Sequence, residues 1–225
     1  MSTSASPPMR SGEQQHVGFI IFISAAAAIG GFLFGYDSAN INGAVLGIQD
    51  HFGVGAAVTG VIVSSALIGS AVGAWFAGSI AERFGRIRVM QLAALLFLVS
   101  AIGSMFPFAA WDLAAWRVVG GIAIGIASAI APAYIGEIAP PAYRGRLASL
   151  QQLAIVLGIG ASALVNWVVK NLAPATAEGP NDLNGNLGGI EAWQWMLGAA
   201  AVPAVIYLIL SSMIPESPRY LIAAG

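Results

Sequence analysis

The sequence predicts an all-α membrane protein whose six transmembrane helices are arranged as a 3+3 inverted repeat, and three observations carry that fold class. The chain of 225 residues is 58% hydrophobic and only 8% charged, with a mean hydropathy of +0.81, far too apolar for a water-soluble domain of this length. Six apolar runs, each long enough to cross a bilayer, are separated by polar or charged breaks. Finally, Gly30, Gly31, Gly35, Ser38 and Ala39 of the first run recur as Gly120, Gly121, Gly125, Ser128 and Ala129 of the fourth, at an offset of 90 residues. The first run leads out of the basic side and the fourth leads back, so a repeat between them inverts the topology.

Each element has its own signal. Residues 1–16 are polar, with Pro7, Pro8, Arg10 and Glu13, and read as a disordered cytosolic tail. Span one runs from Val17 to Ile48 and is expected to break over Gln49, Asp50, His51 and Phe52. Span two covers Ala56 to Ile80, and the charged cluster Glu82, Arg83, Arg86 and Arg88 separates it from span three, Val89 to Ala109. Trp111 and Asp112 mark the next turn. Span four, Ala114 to Ile135, carries Arg117 in its first turns and runs into a charged hinge, Glu137 to Arg146. Span five covers Ser149 to Val169; a polar Pro/Gly/Asn-rich segment, Lys170 to Glu191, then leads to span six, Trp193 to Ile214. A six-helix transmembrane domain thus occupies 17–214, and 215–225 read as the cytosolic start of a linker.

Lysine and arginine set the orientation. Arg10, Arg83, Arg86, Arg88, Arg144, Arg146 and Arg219 fall on one side and Lys170 on the other, which puts both termini in the cytosol. Trp193 and Trp195 are then expected to anchor span six in the far interface. A net charge of -1 gives no attraction to nucleic acid. His16 and His51 lie outside the spans and cysteine is absent, so no catalytic or metal-ligating cluster is assembled; neither enzyme activity nor a metal or cofactor is expected. A structural or channel-forming membrane protein fits the composition as well as a transporter does.

Arg117 needs a partner, because a charge inside a span is expensive unless it faces protein or water beside an opposite charge. Asp37 lies about 14 Å inside the far end of span one and Arg117 about 5 Å inside that of span four, at 1.5 Å per residue. Two readings follow. Arg117 snorkels to the surface while Asp37 supports a kink at Gly35, or the two pair and the proton on Asp37 controls whether Arg117 is held.

Several motifs run along nearly the whole chain: Gly30-Gly31-Phe32-Leu33-Phe34-Gly35-Tyr36-Asp37, Arg83-Phe84-Gly85-Arg86, Arg117-Val118-Val119-Gly120-Gly121, Glu137 with Arg144-Gly145-Arg146, Gln151-Gln152-Leu153, and Pro215-Glu216-Ser217-Pro218-Arg219. In this order and spacing they resemble the N-terminal half of a sugar porter of the major facilitator superfamily. The resemblance implies secondary transport of a sugar across the cell membrane, with Asp37 as the acid of proton-coupled members and Arg117 as its partner; facilitative members tend to carry an amide at that place. It implies sugar contacts from Gln152 and Phe34, Gln152 also being readable as a helix-packing amide. It further implies a cytosolic charge network of Glu82, Arg83, Arg86, Glu137, Arg144, Arg146, Glu216 and Arg219 that holds a gate. The expected partners are a sugar, protons and the lipid bilayer. Departures from the pattern are Glu82, Ile87, Ile159 and Gln194. A sugar porter has about twelve spans, so this chain is expected to be a half or a truncated form that assembles with a second half or a second copy. Alone it would expose the cavity faces of spans one, four and five.

Overall fold

The structure, a computed structural model, describes residues 11–141, 143–173 and 185–223, with the side chains of 11–17, 144, 186, 218, 219 and 223 outside the described set. The helices are α1 (Ser11–Phe52), α2 (Ala56–Phe84), α3 (Arg86–Met105), α4 (Ala110–Ile138), α5 (Arg144–Leu172), α6 (Ala192–Gly198), α7 (Ala201–Met213) and α8 (Pro218–Ala223), with a small hairpin of β1 (Asn186–Leu187) and β2 (Ile190–Glu191) before α6. Six helical segments are long and apolar enough to cross a membrane, the sixth made of α6 and α7 together.

The ends differ from expectation in three places. Span one does not stop at its polar residues: Gln49 to Phe52 form the last turn of α1, and the stop is Gly53, whose φ of +60° is the left-handed conformation only glycine takes cheaply. The Val54 N–H closes that end on Gln49 O at 3.1 Å. At the other end α1 begins at Ser11, inside the segment expected to be disordered, while residues 1–10 lie outside the described set. The charged hinge after α4 is short, since Arg144 to Ala148 are already helical and belong to α5.

Span six is not one regular helix. The Ala200 N–H bonds Leu197 O at 3.2 Å instead of reaching one full turn back, and Pro203 has no N–H to return to Ala199 O. The result is a tightened turn between α6 and α7. Trp193, expected at the lipid interface, is fully buried in a small core with Ile41, Ala44, Ile48, Ile62, Leu113 and Leu197. It has an internal partner for its ring nitrogen, Glu191, and so does not need the interface. Trp195 remains partly exposed and donates to Leu187 O.

The repeat read from the sequence is a repeat of contacts. The pairs α1 with α5 and α4 with α2 are the most intimately packed, and exchanging α1 for α4 and α2 for α5 turns one into the other. Glycine makes both possible. A Cβ on Gly31 or Gly35 would lie 2.9 Å from Gln151 O or 2.0 Å from Ile155 O, and on Gly121 or Gly125 2.1 Å from Ala66 O or Ser70 O. The reverse contacts match too: a Cβ on Gly158 would meet Phe32 O, and one on Gly73 would meet Ile122 O, each at 2.2 Å. The helices therefore touch backbone to backbone, the small-residue packing that works in lipid.

This arrangement puts α1 and α4 in the middle, with Ser38 and Asn42 of α1 left exposed. Large exposed apolar residues lie on α2 (Val61, Leu67, Ile68, Trp75) and α5 (Leu153, Leu157, Leu164, Trp167), and also on α3 (Leu92, Leu95, Val99, Ile102) and α7 (Val202, Ile206, Ile209, Met213). The expected open face on spans one, four and five is present in part: α5 is exposed along much of its length and α1 exposes Ser38 and Asn42, while α4 is mostly buried.

Candidate functional site

Asp37 and Arg117 meet where α1 crosses α4. Arg117 Nη1 donates to Asp37 Oδ1 at 2.5 Å, and the residues are 5% and 7% exposed respectively. The snorkelling reading is therefore excluded: the guanidinium turns inward to the carboxylate. Neither charge would be tolerated at this burial without the other, since desolvating one ion costs several kcal/mol by order of magnitude. A cleft of about 150 Å³ opens beside the pair, lined by Phe34, Ser38, Ile41, Asn42 and Ser70 among others. On the far side a void of about 10 Å³ separates the pair from Ser100 and Ser104 of α3 and from Leu197 and Ala200 at the α6–α7 turn.

The two expected sugar contacts do not share that cleft. Phe34, half-buried, lines it one turn from Asp37. Gln152 is exposed on α5 and is not among the lining residues. Its neighbour Gln151 is the inward amide, pressed against α1 where Gly31 leaves room; a Cβ there would lie 2.7 Å from Gln151 Nε2.

Sequence reasoning missed a second buried polar group. Asn40, fully buried one turn beyond Asp37, donates through Nδ2 to Met196 O at 2.8 Å, and Asn166 of α5 donates to Asn40 O at 3.3 Å. Gly43 clears the way, because a Cβ there would stand 2.3 Å from Asn166 Nδ2. The signal was available: an amide inside an apolar span needs a partner as an ion does.

At the basic end the geometry is narrower than the eight residues read from the sequence. Arg86 of α3 bonds Glu137 of α4 at 2.9 Å through Nη2 and Ala81 O through Nη1. Glu216, after α7, accepts from the backbone N–H groups of Arg86 at 2.9 Å and Ile87 at 3.2 Å, thus capping the start of α3, where the helix end favours an anion. It does so because Gly85 has no side chain: a Cβ there would lie 2.5 Å from Glu216 Oε2, and its φ is +93°. Ser217 donates to the other oxygen of Glu137, and Tyr134 O–H donates to Pro215 O at 2.5 Å. Three elements are tied in this way. Glu82, Arg83 and Arg146 stand exposed around the knot and form no part of these bonds, while the side chains of Arg144 and Arg219 lie outside the described residues.

Known proteins resemble this chain along most of its length. The profile of a family described as "Sugar (and other) transporter" matches residues 23–225. The chain is 52% identical over 225 residues to a glucose transport protein of Synechocystis sp., covering 46% of that relative. It is 41% identical over 209 residues to an arabinose-proton symporter of Bacillus subtilis, covering 93% of this chain and 43% of the relative. Among solved structures, the proton:xylose symporter XylE bound to 6-bromo-6-deoxy-D-glucose superposes with a TM-score of 0.84 at 32% identity, over 93% of this chain and 48% of that one. The chain spans about half the length of the relatives it matches.

Proposed function

The chain belongs to the sugar transporter family, a family of membrane transporters and not of enzymes, and from that premise we propose that it forms the N-terminal half of a proton-coupled sugar symporter. The observation that carries the reading is the buried Asp37–Arg117 pair at the edge of a cleft lined by Phe34. An ionised Asp37 holds Arg117; protonation removes the charge that holds it and frees α1 to shift against α4. The names of the arabinose-proton and proton:xylose relatives support a proton as the coupled ion.

A sugar suits the cleft beside the pair, where Phe34 offers an apolar surface to a ring face and Ser38, Asn42 and Ser70 offer hydroxyl and amide groups. Gln152 reaches the sugar only if the second half of the transporter closes over α5, which would also cover the apolar faces of α2 and α5. The basic-end knot of Arg86, Glu137 and Glu216 is the proposed cytosolic gate, holding α2–α3, α4 and the segment after α7 together in one of two states.

Asp37→Asn in a complete transporter, this chain with its second half, tests the reading. The amide keeps the shape but cannot ionise. Sugar exchange should persist while accumulation driven by a pH gradient is lost. Accumulation near the parent rate would remove Asp37 from the mechanism and leave facilitated entry as the better reading.

A further inference from the structure

We propose that Asn40 is a positioning residue for proton coupling: through its bond to Met196 O it carries movement of the Asp37–Arg117 pair into the turn between α6 and α7, making that turn a hinge of the transport cycle. The inference rests on the symport reading above.

Three features place Asn40 in this role. It lies three residues after Asp37 on an unbroken helix, so a shift of α1 at Asp37 is a shift at Asn40. Its acceptor is a carbonyl that the local structure has set free. In a regular helix Met196 O would receive the Ala200 N–H, but that group bonds Leu197 O, and the Asn40 amide takes the place of the missing helical donor. The third feature is the void: Leu197 and Ala200, which make the turn, border it opposite Asp37 and Arg117. The turn thus faces the pair across the void on one side and is pinned to the pair's own helix on the other.

A span of continuous α-helix would transmit a push along its whole length. A span with a tightened turn, a proline two residues into its second segment and one borrowed hydrogen bond can bend there at small cost. Asn40 decides whether the bend follows α1. The charged group facing Asp37 is Arg117 from α4; Ser100 and Ser104 from α3, and Leu197 and Ala200 from the turn, bring no charge, so the change transmitted through Asn40 originates in the one ion pair.

The test compares Asn40→Ala, Asn40→Gln and Asp37→Asn in the complete transporter, reading sugar exchange, accumulation driven by a pH gradient, and the pH profile of uptake. Asn40→Ala should keep exchange near the parent rate, cut accumulation by about tenfold and flatten the pH profile, a coupling loss of the size usual between linked sites. Asn40→Gln, which retains an amide, should recover part of both. Should Asn40→Ala fold poorly, a distance between spin labels replacing Leu46 and Val202 gives a second measurement on Asn40→Gln: it should change with pH in the parent and change less in the variant. Parent-like accumulation and pH profile in Asn40→Ala, or exchange and accumulation lost in equal proportion, would overturn the role of Asn40. If Asp37→Asn itself accumulates sugar as the parent does, the symport reading fails and takes this one with it; a dead Asp37→Asn beside a parent-like Asn40→Ala overturns the inference alone.

Discussion

The pair at the centre of this chain is held by two residues 80 positions apart that are each untenable alone. Removing one partner of a buried ion pair typically costs about 3–5 kcal/mol, more than the pair itself contributes, because the remaining charge stays buried. Arg117→Leu should therefore lower the thermal unfolding temperature of the detergent-purified protein markedly, and adding Asp37→Asn should recover part of the loss. A double variant no more stable than Arg117→Leu would mean that the two side chains are not coupled. That Asp37 and Arg117 could pair was legible in the sequence as one of two readings, since each needed an opposite charge and a long arginine side chain can reach between their depths. Asn40 was not read, because its acceptor exists only where span six departs from regular helix.

Between helices, close approach is set by glycines in register. Gly125→Ala would put a Cβ 2.1 Å from Ser70 O, and backbone cannot yield as a side chain can. Overpacking of this kind typically costs about 1–3 kcal/mol, so the variant should unfold earlier than the parent. Gly78→Ala is the control on α2: nothing lies within 4 Å of its added Cβ, and relief of glycine's backbone entropy should leave stability unchanged or raise it by about 0.5–1 kcal/mol. Equal losses in the two would argue against backbone contact between α2 and α4. The ten-residue repeat gave these glycines away as a set. The helix ends were less legible: polar Gln49 to Phe52 looked like a break, yet the stop is one residue later, where the backbone itself turns left-handed at Gly53.

For the molecule as a whole, the proposed orientation is tested by single cysteines, which the parent lacks. Arg146→Cys should label from the cytosolic side and Ala177→Cys from the outside; labelling from the same side would sink the six-span topology. On the half-transporter proposal the 225-residue product alone should show little sugar uptake in vesicles, and uptake by a demonstrably monomeric product would refute that proposal.

The sequence by itself determined the solvent, the number of spans and the repeat, and offered Asp37 and Arg117 as a pair. These follow from composition, run length, glycine spacing and the cost of charge in lipid, all of which act along the chain or between two residues of known depth. The tertiary structure decided what depends on which face of a helix meets which neighbour. It buried Trp193, turned Gln151 rather than Gln152 inward, and made Glu216 a cap on α3. In a span that is apolar all round, hydrophobic periodicity does not distinguish the lipid face from the protein face. Only the packing of the six segments, fixed where glycine lets backbones touch, assigns each side chain its direction.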